Sequence, residues 1–321
     1  MLTAHLPPEL RAAIGALARQ FSTAELTAAA RRLSDAYRKN GGYRIDSPIE
    51  AVAYAASRMP ATFAAISAAF REVDVKVDSI LDLGGGTGAA AWAAKSVFGD
   101  QVHVCTIEPN GHLRTLGEKL QCDKVDWRGG DYRNLAGLSQ HDLVVFGYSL
   151  GEVPPGVALE VVERAYLLAN KGLVIVEPGT AGSFGFFLRA RQRLIDLGAT
   201  IAAPCPHQGD CPLPAGDWCH FAVRTERSRL HKQLKGGLLG YEDEKFTYLI
   251  ALREPPPAQP AFSRILRHPF VEPRSVTMKL CKPAGLAEIS VRAADKASFK
   301  VARKSGWGAR WAEPDPTRGD G

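Results

Sequence analysis

The sequence predicts an alternating α/β fold in which a parallel sheet is covered on both faces by helices. Three observations predict it. A strand-like run, Ser79-Ile80-Leu81-Asp82-Leu83, enters the glycine cluster Gly84-Gly85-Gly86-Thr87-Gly88 and leaves it as the helix-forming run Ala89-Ala90-Ala91-Trp92-Ala93-Ala94-Lys95. That is strand, tight turn and helix, the first half of a βαβ unit. Near-continuous apolar stretches then recur at 102–107, 142–146 and 172–177, without the alternation of a sheet that has one wet face. Helix-forming segments separate them, as parallel strands require.

Residues 1–75 read as helices ahead of that sheet. Pro8-Glu9 opens Leu10-Arg11-Ala12-Ala13-Ile14-Gly15-Ala16-Leu17, with apolar residues at helical spacing. Ser22-x-x-Glu25 and Ser47-x-x-Glu50 have the form of capping boxes, each heading an alanine-rich run, and Gly41-Gly42 separates them. Pro60 is expected to break or restart a helix after Met59, ahead of 61–71, because proline lacks the N–H that a helix interior uses. The region reads as a helical cap on the sheet. Further on, a short third strand is expected at 124–127, a helix at 184–197, a strand at 199–203 and a closing strand at 246–252. A basic helix is expected over 224–235. Pro255-Pro256-Pro257 marks a linker, and short strands at 263–266, 275–280 and 288–292 make a small β unit. The chain so divides into a helical region at 1–75, a sheet domain at 76–254 with an insertion at 204–240, and a β unit with a basic tail at 255–321. There is no internal repeat.

Glycines between a strand and a helix bring the backbone close to a ligand, and the helix N-terminus offers it unpaired N–H groups. A dinucleotide pattern is met only loosely, as Gly84-x-Gly86-x-x-Ala89. The spacing Gly84-x-Gly86-x-Gly88, with Asp82 two residues ahead, is similar to the first motif of class I S-adenosylmethionine-dependent methyltransferases. That resemblance implies two more acids. One ends the second strand and accepts hydrogen bonds from ribose hydroxyls; Glu108 closes 102–107, 20 residues past Gly88. The other follows the third strand near the adenine, where Asp131 stands in Gly130-Asp131-Tyr132. Asp82 either fixes the loop or meets the methionine amine. After strand four, amine-methylating enzymes often carry an Asn/Asp/Ser-Pro-Pro-aromatic motif, whereas this chain has Gly147-Tyr148-Ser149-Leu150-Gly151-Glu152. Tyr148 is the candidate to stack on a base and Glu152 the candidate acceptor. Cytosine-C5 chemistry needs a cysteine nucleophile. Pro204-Cys205 offers one superficially, and Cys105 reads as core of strand two.

Of 321 residues, 45% are apolar, enough for a sizeable core. No run of about 18 uncharged apolar residues is present, so no membrane helix is expected. The start, Met1-Leu2-Thr3-Ala4-His5, lacks a basic-then-apolar leader, and the reading is a soluble, cytoplasmic protein, or a mitochondrial-matrix one in a eukaryote. The formal charge of +6 is uneven: residues 255–321 hold 12 Lys/Arg against 6 Asp/Glu, and the rest of the chain balances. A basic end on a neutral body suggests a polyanionic partner. Arg224, Arg227 and Lys232 in the basic helix, and Lys300, Arg303, Lys304 and Arg310 in the tail, are the candidates to neutralise phosphates. Trp307 and Trp311 either stack on unpaired bases or anchor the tail to the body.

Cys205, Cys211 and Cys219 are spaced C-x5-C-x7-C, and Cys281 lies 62 residues further on. Clustered cysteines in a chain of this kind suggest metal rather than disulfides. Four thiolates suit either a tetrahedral zinc or a four-iron cluster, and the absence of short C-x2-C pairs favours zinc on spacing alone.

Taken in order, Arg58-Met59-Pro60-Ala61-Thr62, the glycine loop, Glu108-Pro109-Asn110, Tyr148-Ser149-Leu150-Gly151-Glu152, Val176-Glu177-Pro178-Gly179-Thr180, Pro204-Cys205-Pro206-His207, Cys211-Pro212-Leu213, Asp217-Trp218-Cys219-His220-Phe221 and Tyr241-Glu242-Asp243-Glu244-Lys245-Phe246 carry a second resemblance. Over roughly residues 45–310 the chain resembles the Rsm-twenty-two family of small-subunit ribosomal assembly proteins. The resemblance implies a methyltransferase fold with a metal-binding insertion, S-adenosylmethionine as cofactor, and small-subunit rRNA or an immature small subunit as partner. It implies that Cys205, Cys211, Cys219 and Cys281 hold a [4Fe-4S] cluster rather than zinc, with His207 and His220 as neighbouring loop residues. A monomer is expected off the ribosome. Methyl transfer is inferred for the family from its fold more than from a catalytic motif, so an rRNA methyltransferase and a non-catalytic assembly factor stand side by side.

Overall fold

The apolar runs pair side by side in the computed structural model, which describes residues 2–38, 44–120, 122–255 and 261–312. The chain opens with β1 (Leu2–Ala4), α1 (Pro8–Ala18), α2 (Thr23–Arg38), α3 (Pro48–Ser57) and α4 (Met59–Phe70). The alternating units follow as β2 (Ser79–Leu83), α5 (Ala89–Phe98), β3 (His103–Ile107), α6 (Gly111–Lys119), β4 (Val125–Arg128), β5 (His141–Gly147), α7 (Pro155–Leu167), β6 (Ala169–Pro178) and α8 (Ala181–Asp196). Then come β7 (Thr200–Ala203), β8 (Phe221–Glu226), α9 (Arg229–Lys235) and β9 (Tyr241–Leu252). The C-terminal unit comprises β10 (Ser263–Ile265), β11 (Phe270–Val271), β12 (Ser275–Lys282), β13 (Gly285–Arg292), α10 (Lys296–Lys304) and β14 (Arg310–Trp311).

Strands β4, β3, β2, β5 and β6 pair in that order, all parallel. The chain moves outward from β2 to β4, then returns to the other side of β2 with β5. The order therefore reverses between β2 and β5, the place where open α/β sheets bind ligands at their strand C-termini. This is the Rossmann-like sheet the sequence predicts. β9 enters antiparallel beside β6, from Gly172↔Leu252 to Pro178↔Phe246. Its other edge takes β7 on the C-terminal half and β8 on the N-terminal half. One line of strand is thus broken after Ala203 and resumed at Phe221, and three cysteines lie in the excursion between. β1 joins β8 in parallel.

Both faces of the sheet are buried. One packs under the N-terminal helices with Leu10, Leu26, Phe63, Ile66 and Phe70, and the other under α7 and α8 with Val161, Val162, Phe187 and Leu194. α4 is buried at every position, as a helix apolar all round should be, and it packs on α5 and β9. It is a layer of the core rather than part of a peripheral cap. The C-terminal strands form a separate antiparallel sheet around Ile265, Val276, Met278, Leu280, Ala302 and Trp311.

Several sequence readings are corrected. The head of the chain contributes an edge strand, β1, as well as helices. Ser22 and Glu25 form a full capping box, Ser22 N–H to Glu25 Oε2 at 3.0 Å and Glu25 N–H to Ser22 Oγ at 3.3 Å. Ser47 makes no side-chain cap; Glu50 instead accepts from Asp46 N–H and from Arg32, which ties α3 to α2. The stretch 224–235 is not one helix: Phe221–Glu226 pairs with β9, Arg224 opposite Asp243, which makes Arg224 a strand residue, and α9 begins only at Arg229. The basic end is not a free tail, since 296–304 is helical and Arg310–Trp311 pairs with β10. Gly41-Gly42, Pro256-Pro257 and residues 313–321 lie outside the described residues. No helix among the described residues is long and apolar enough to cross a membrane.

Candidate functional site

The glycine loop sits where the strand order reverses. Gly84, Gly86 and Gly88 have φ of 80°, 57° and 90°, a region that side chains other than glycine rarely adopt. A Cβ on Gly84 would also lie 2.5 Å from the Ser149 Cβ. Glu108, at the end of β3, pins the loop: Oε2 accepts from Gly86 N–H and Oε1 from Asn110 N–H, both at 2.7 Å. A carboxylate has about four lone-pair sites, so each oxygen keeps capacity for another donor. Burial pushes the Glu108 carboxyl up to about 7 against the pull of these N–H groups, and the charge of Glu152 adds to the rise. Asp82 lies beneath the loop, buried, and neither of its oxygens finds a donor among the described residues. Burial, then the Glu108 charge, raises it to about 7. It does not fix the loop by hydrogen bonding.

The next two strands add more acids. β5 leads into Tyr148, whose φ of 63° is unusual for a residue with a Cβ. Its hydroxyl donates to Glu244 Oε1 at 2.9 Å, and burial holds its own ionisation well above the usual range. Ser149 Oγ donates to the Leu83 carbonyl at 2.7 Å, and Tyr132 donates to the Ser149 carbonyl at 2.9 Å, which locks the segment to the glycine loop. Glu177, at the end of β6, accepts from Leu150 N–H at 2.9 Å and is raised by burial to about 8. Glu152 is solvent-accessible at the cleft yet walled by protein, and loss of bulk water raises it too. Glu244 is raised by burial, with Arg58 opposing. Four carboxyls, Asp82, Glu108, Glu152 and Glu177, thus belong to one electrostatic neighbourhood, and Glu244 adjoins it through Tyr148. Glu177 and Glu244 are not among the candidates read from the sequence. Glu177 ends a core strand as Glu108 does, and that position was the available signal. Asp131 lies at the surface, clamped by Arg133 Nε at 2.8 Å, which lowers its carboxyl.

The cysteines come together from two units. Cys205, Cys211 and Cys219 from the excursion and Cys281 from β12 line one pocket with Phe184 and Phe187. All four are free thiols. Burial, then the charges of Cys205, Cys211 and Cys281, pushes the Cys219 thiol well up, and burial takes Cys281 to about 12. Among the described residues no group of three or more His, Cys, Asp or Glu side chains is placed to hold a metal ion. What fits a metal centre is the donor chemistry: four thiols face one apolar pocket, and the Arg191 Nε beside it is buried without an acceptor. His207 Nε2 lies 3.5 Å from Cys281 Sγ, and His220 packs between Trp218 and Trp307. Cys205 is no ready nucleophile, because burial raises its thiol. Cys105 is buried in β3.

The basic candidates fall into two groups. Arg224 is held by Asp243 at 2.7 and 2.8 Å and lies over the Tyr241 ring; Arg227 is held by Glu242 and Arg310 by Glu72. Lys300, Arg303 and Lys304 are exposed on α10, and Lys232 is half-exposed. The half-buried Trp307 ring packs against His220 and His268. Trp311 is 2% exposed in the core of the C-terminal unit, so it anchors that unit and is not available to a base.

Comparison with known proteins follows the same lines. The profile of the family described as mitochondrial small ribosomal subunit Rsm22 matches residues 48–312. The human ribosome assembly protein METTL17, mitochondrial, is 28% identical over 79% of this chain and 61% of its own length. The Rsm22-cox11 tandem protein 2, mitochondrial, of Schizosaccharomyces pombe is 22% identical over 81% of this chain and 42% of its own. The chain therefore spans about half the length of these relatives. Among solved structures, magnesium protoporphyrin IX methyltransferase from Synechocystis, with bound SAM, covers 68% of this chain and 90% of its own at 13% identity and a TM-score of 0.40.

Proposed function

The chain belongs to the Rsm22 family, and on that premise we propose that it is an S-adenosylmethionine-binding, methyltransferase-like factor acting on small-subunit rRNA or an immature small ribosomal subunit. The observation that carries the cofactor is the acid-ringed glycine loop. A pyrophosphate seeks free N–H groups and positive charge. Here Gly86 N–H is already given to Glu108, and carboxyls, Asp82, Glu108 and Glu152, are the charges nearest the loop, with Arg114 tied to the Glu108 carbonyl behind them. S-adenosylmethionine carries a sulfonium and an ammonium, so its charge suits the site where a dinucleotide's does not. In this reading the glycines admit the ligand's backbone-close parts, Glu108 takes ribose hydroxyls on its remaining lone pairs, and Asp82 takes the ammonium. Asp131 reaches the adenine only by releasing Arg133.

Cys205, Cys211, Cys219 and Cys281 are the residues that would hold the family's metal centre, read as [4Fe-4S] with zinc as the alternative. When bound, such a cluster supplies a redox-active tie between the excursion and the C-terminal unit. The exposed Lys300, Arg303 and Lys304, with Lys232, are the phosphate-facing residues of this reading, and a monomer is expected away from the particle. The relatives carry mitochondrial names, which favours the matrix over the cytoplasm.

A second reading, an assembly factor that binds cofactor and rRNA without turnover, is favoured by a specific observation. Tyr148 is bound to Glu244, burial raises the Cys205 thiol, and Glu152 is the exposed acid of that segment. Calorimetry with S-adenosylmethionine and with NAD tests the cofactor. Methyl incorporation into naked rRNA and immature small subunits separates the two readings. Binding of NAD with no affinity for S-adenosylmethionine rejects both.

A further inference from the structure

Two guanidinium groups are buried beside the cysteine pocket, and only one has a counter-ion. Arg264 is 1% exposed and meets Glu72 through Nη2 at 3.0 Å and Nη1 at 3.2 Å, while Nε donates to the Pro204 carbonyl at 2.9 Å. Arg191, on α8, is 3% exposed. Its Nη2 donates to the His207 carbonyl at 2.9 Å, its Nε has no acceptor among the described residues, and no carboxylate meets it there. The guanidinium lies against the Cys205 thiol, and its charge is felt at Cys281 and His207. A buried cation whose partners are one carbonyl and a neutral thiol is costly. Neutral thiols are weak acceptors and do not balance it.

Resting on the four-thiolate reading above, we propose that Arg191 is the charge-balancing and positioning residue of the cysteine centre. Four thiolates carrying a zinc ion or a [4Fe-4S] core of charge 2+ retain a net charge of two minus. Arg191 supplies one opposing charge beside the pocket, and its guanidinium supplies a donor at the Cys205 sulfur. The tie to His207 holds the guanidinium against the loop that begins at Pro204, so the excursion and its counter-charge are placed together. Arg264 supplies charge as well, already half spent on Glu72 and committed to the architecture. Arg191 is the residue whose burial has no other account.

The test uses the full chain, purified anaerobically and reconstituted with ferrous iron and sulfide, as wild type, Arg191→Met and Arg191→Lys. Iron, sulfide and zinc per chain are measured, along with iron release to a chelator and the midpoint potential by spectroscopic titration. Loss of the positive charge disfavours the more negative reduced state. Arg191→Met is therefore expected to shift the one-electron equilibrium at least tenfold toward the oxidised form, about 59 mV, and to speed iron release about tenfold. Arg191→Lys restores most of both. If the wild type holds zinc without sulfide, zinc release replaces the potential as the readout and the same order of variants is expected. Should Arg191→Met fail to fold, Arg191→Gln, which keeps donors without charge, carries the same comparison. A folded, charge-free variant matching the metal-loaded wild type in content, release and potential overturns the proposal alone. A wild type that takes up no metal overturns the four-thiolate reading, and the proposal with it.

Discussion

Arg264 stands directly across from Cys281 in the β10–β12 ladder, and its guanidinium turns from that ladder to hold Glu72, the Pro204 carbonyl and the Gly308 carbonyl. The end of α4, the start of the cysteine excursion and the approach to β14 meet on this one buried side chain. Removing one partner of a buried pair leaves the other charge uncompensated, at about 3–5 kcal/mol. Glu72 keeps some solvent contact and still holds Arg310, so Arg264→Leu is expected near the lower figure. Urea denaturation measures it, and a loss below about 1 kcal/mol would show that the strut is dispensable.

Glu108→Ala removes both the pin on the glycine loop and the acceptor for ribose. Charge-assisted hydrogen bonds contribute about 1.5–3 kcal/mol each, so S-adenosylmethionine affinity is expected to fall about 10- to 100-fold. Glu108→Gln keeps one backbone acceptor and is expected to lose less. Titration calorimetry decides, and equal affinity in all three proteins contradicts the assignment.

Asp82 gives a pH signature. Its folded carboxyl, near 7, lies above the ordinary 3.8, so the folded state binds its proton more firmly than the unfolded chain. Asp82 therefore costs the fold nothing below about pH 4, and its cost grows as pH rises to about 7. Asp82→Asn removes that dependence, and its stability relative to wild type is expected to rise across this window and then level. A cationic ligand favours the ionised carboxyls, so its binding should release protons and tighten with pH up to about 7. Calorimetry in two buffers of different ionisation enthalpy reads the protons directly; no buffer dependence would remove Asp82 and Glu108 from the ligand's field.

The basic residues separate by salt dependence. Lys300, Arg303 and Lys304 face solvent on α10, whereas Arg224 and Arg227 are held by Asp243 and Glu242. Replacing the three α10 residues with alanine is expected to reduce the slope of log K against log salt for rRNA by about 2–3. Arg224→Ala is expected to leave that slope nearly unchanged. Filter binding at several salt concentrations tests this, and the reverse order of effects would move the RNA surface to β8.

Trp311→Ala should act on stability instead of recognition. Emptying a buried tryptophan site costs about 3–5 kcal/mol, and its loss is expected to loosen the C-terminal unit around Ile265 and Met278. Limited proteolysis and thermal melting check this. A well-folded Trp311→Ala protein with weakened rRNA binding would return the residue to the interface.

The central strands were legible because each is a continuous apolar run, and the glycine loop because its backbone tolerates no other residue. Pro60 was read correctly for a local reason, since a missing N–H acts within one helical turn. What escaped depends on partners distant in sequence. Leu2–Ala4 is too short to show a period and is a strand only because β8 receives it. The 224–235 stretch has a helix-like density of charge, and only pairing with β9 and β1 reveals Arg224 as a strand residue. Glu50 satisfies a capping pattern in sequence, yet the nearby Arg32 claims it. Glu177 gains meaning from the Glu152 charge beside it and Glu244 from the Tyr148 hydroxyl it holds, relations that no local spacing encodes.

The broken strand line on β9 sets an order of events during synthesis. Among the described residues β7 pairs with β9 alone, and β8 with β9 and β1, so neither has a place on the central sheet until residues 241–252 have emerged. The cysteine excursion hangs between those two waiting strands, and its fourth thiol arrives 62 residues after Cys219. Domains form from the N-terminus as the chain is made, and here the central parallel strands are complete long before the thiol pocket exists. The pocket closes only after Cys281 has been made and β9 has paired, so its four thiols stay apart while the parallel strands assemble.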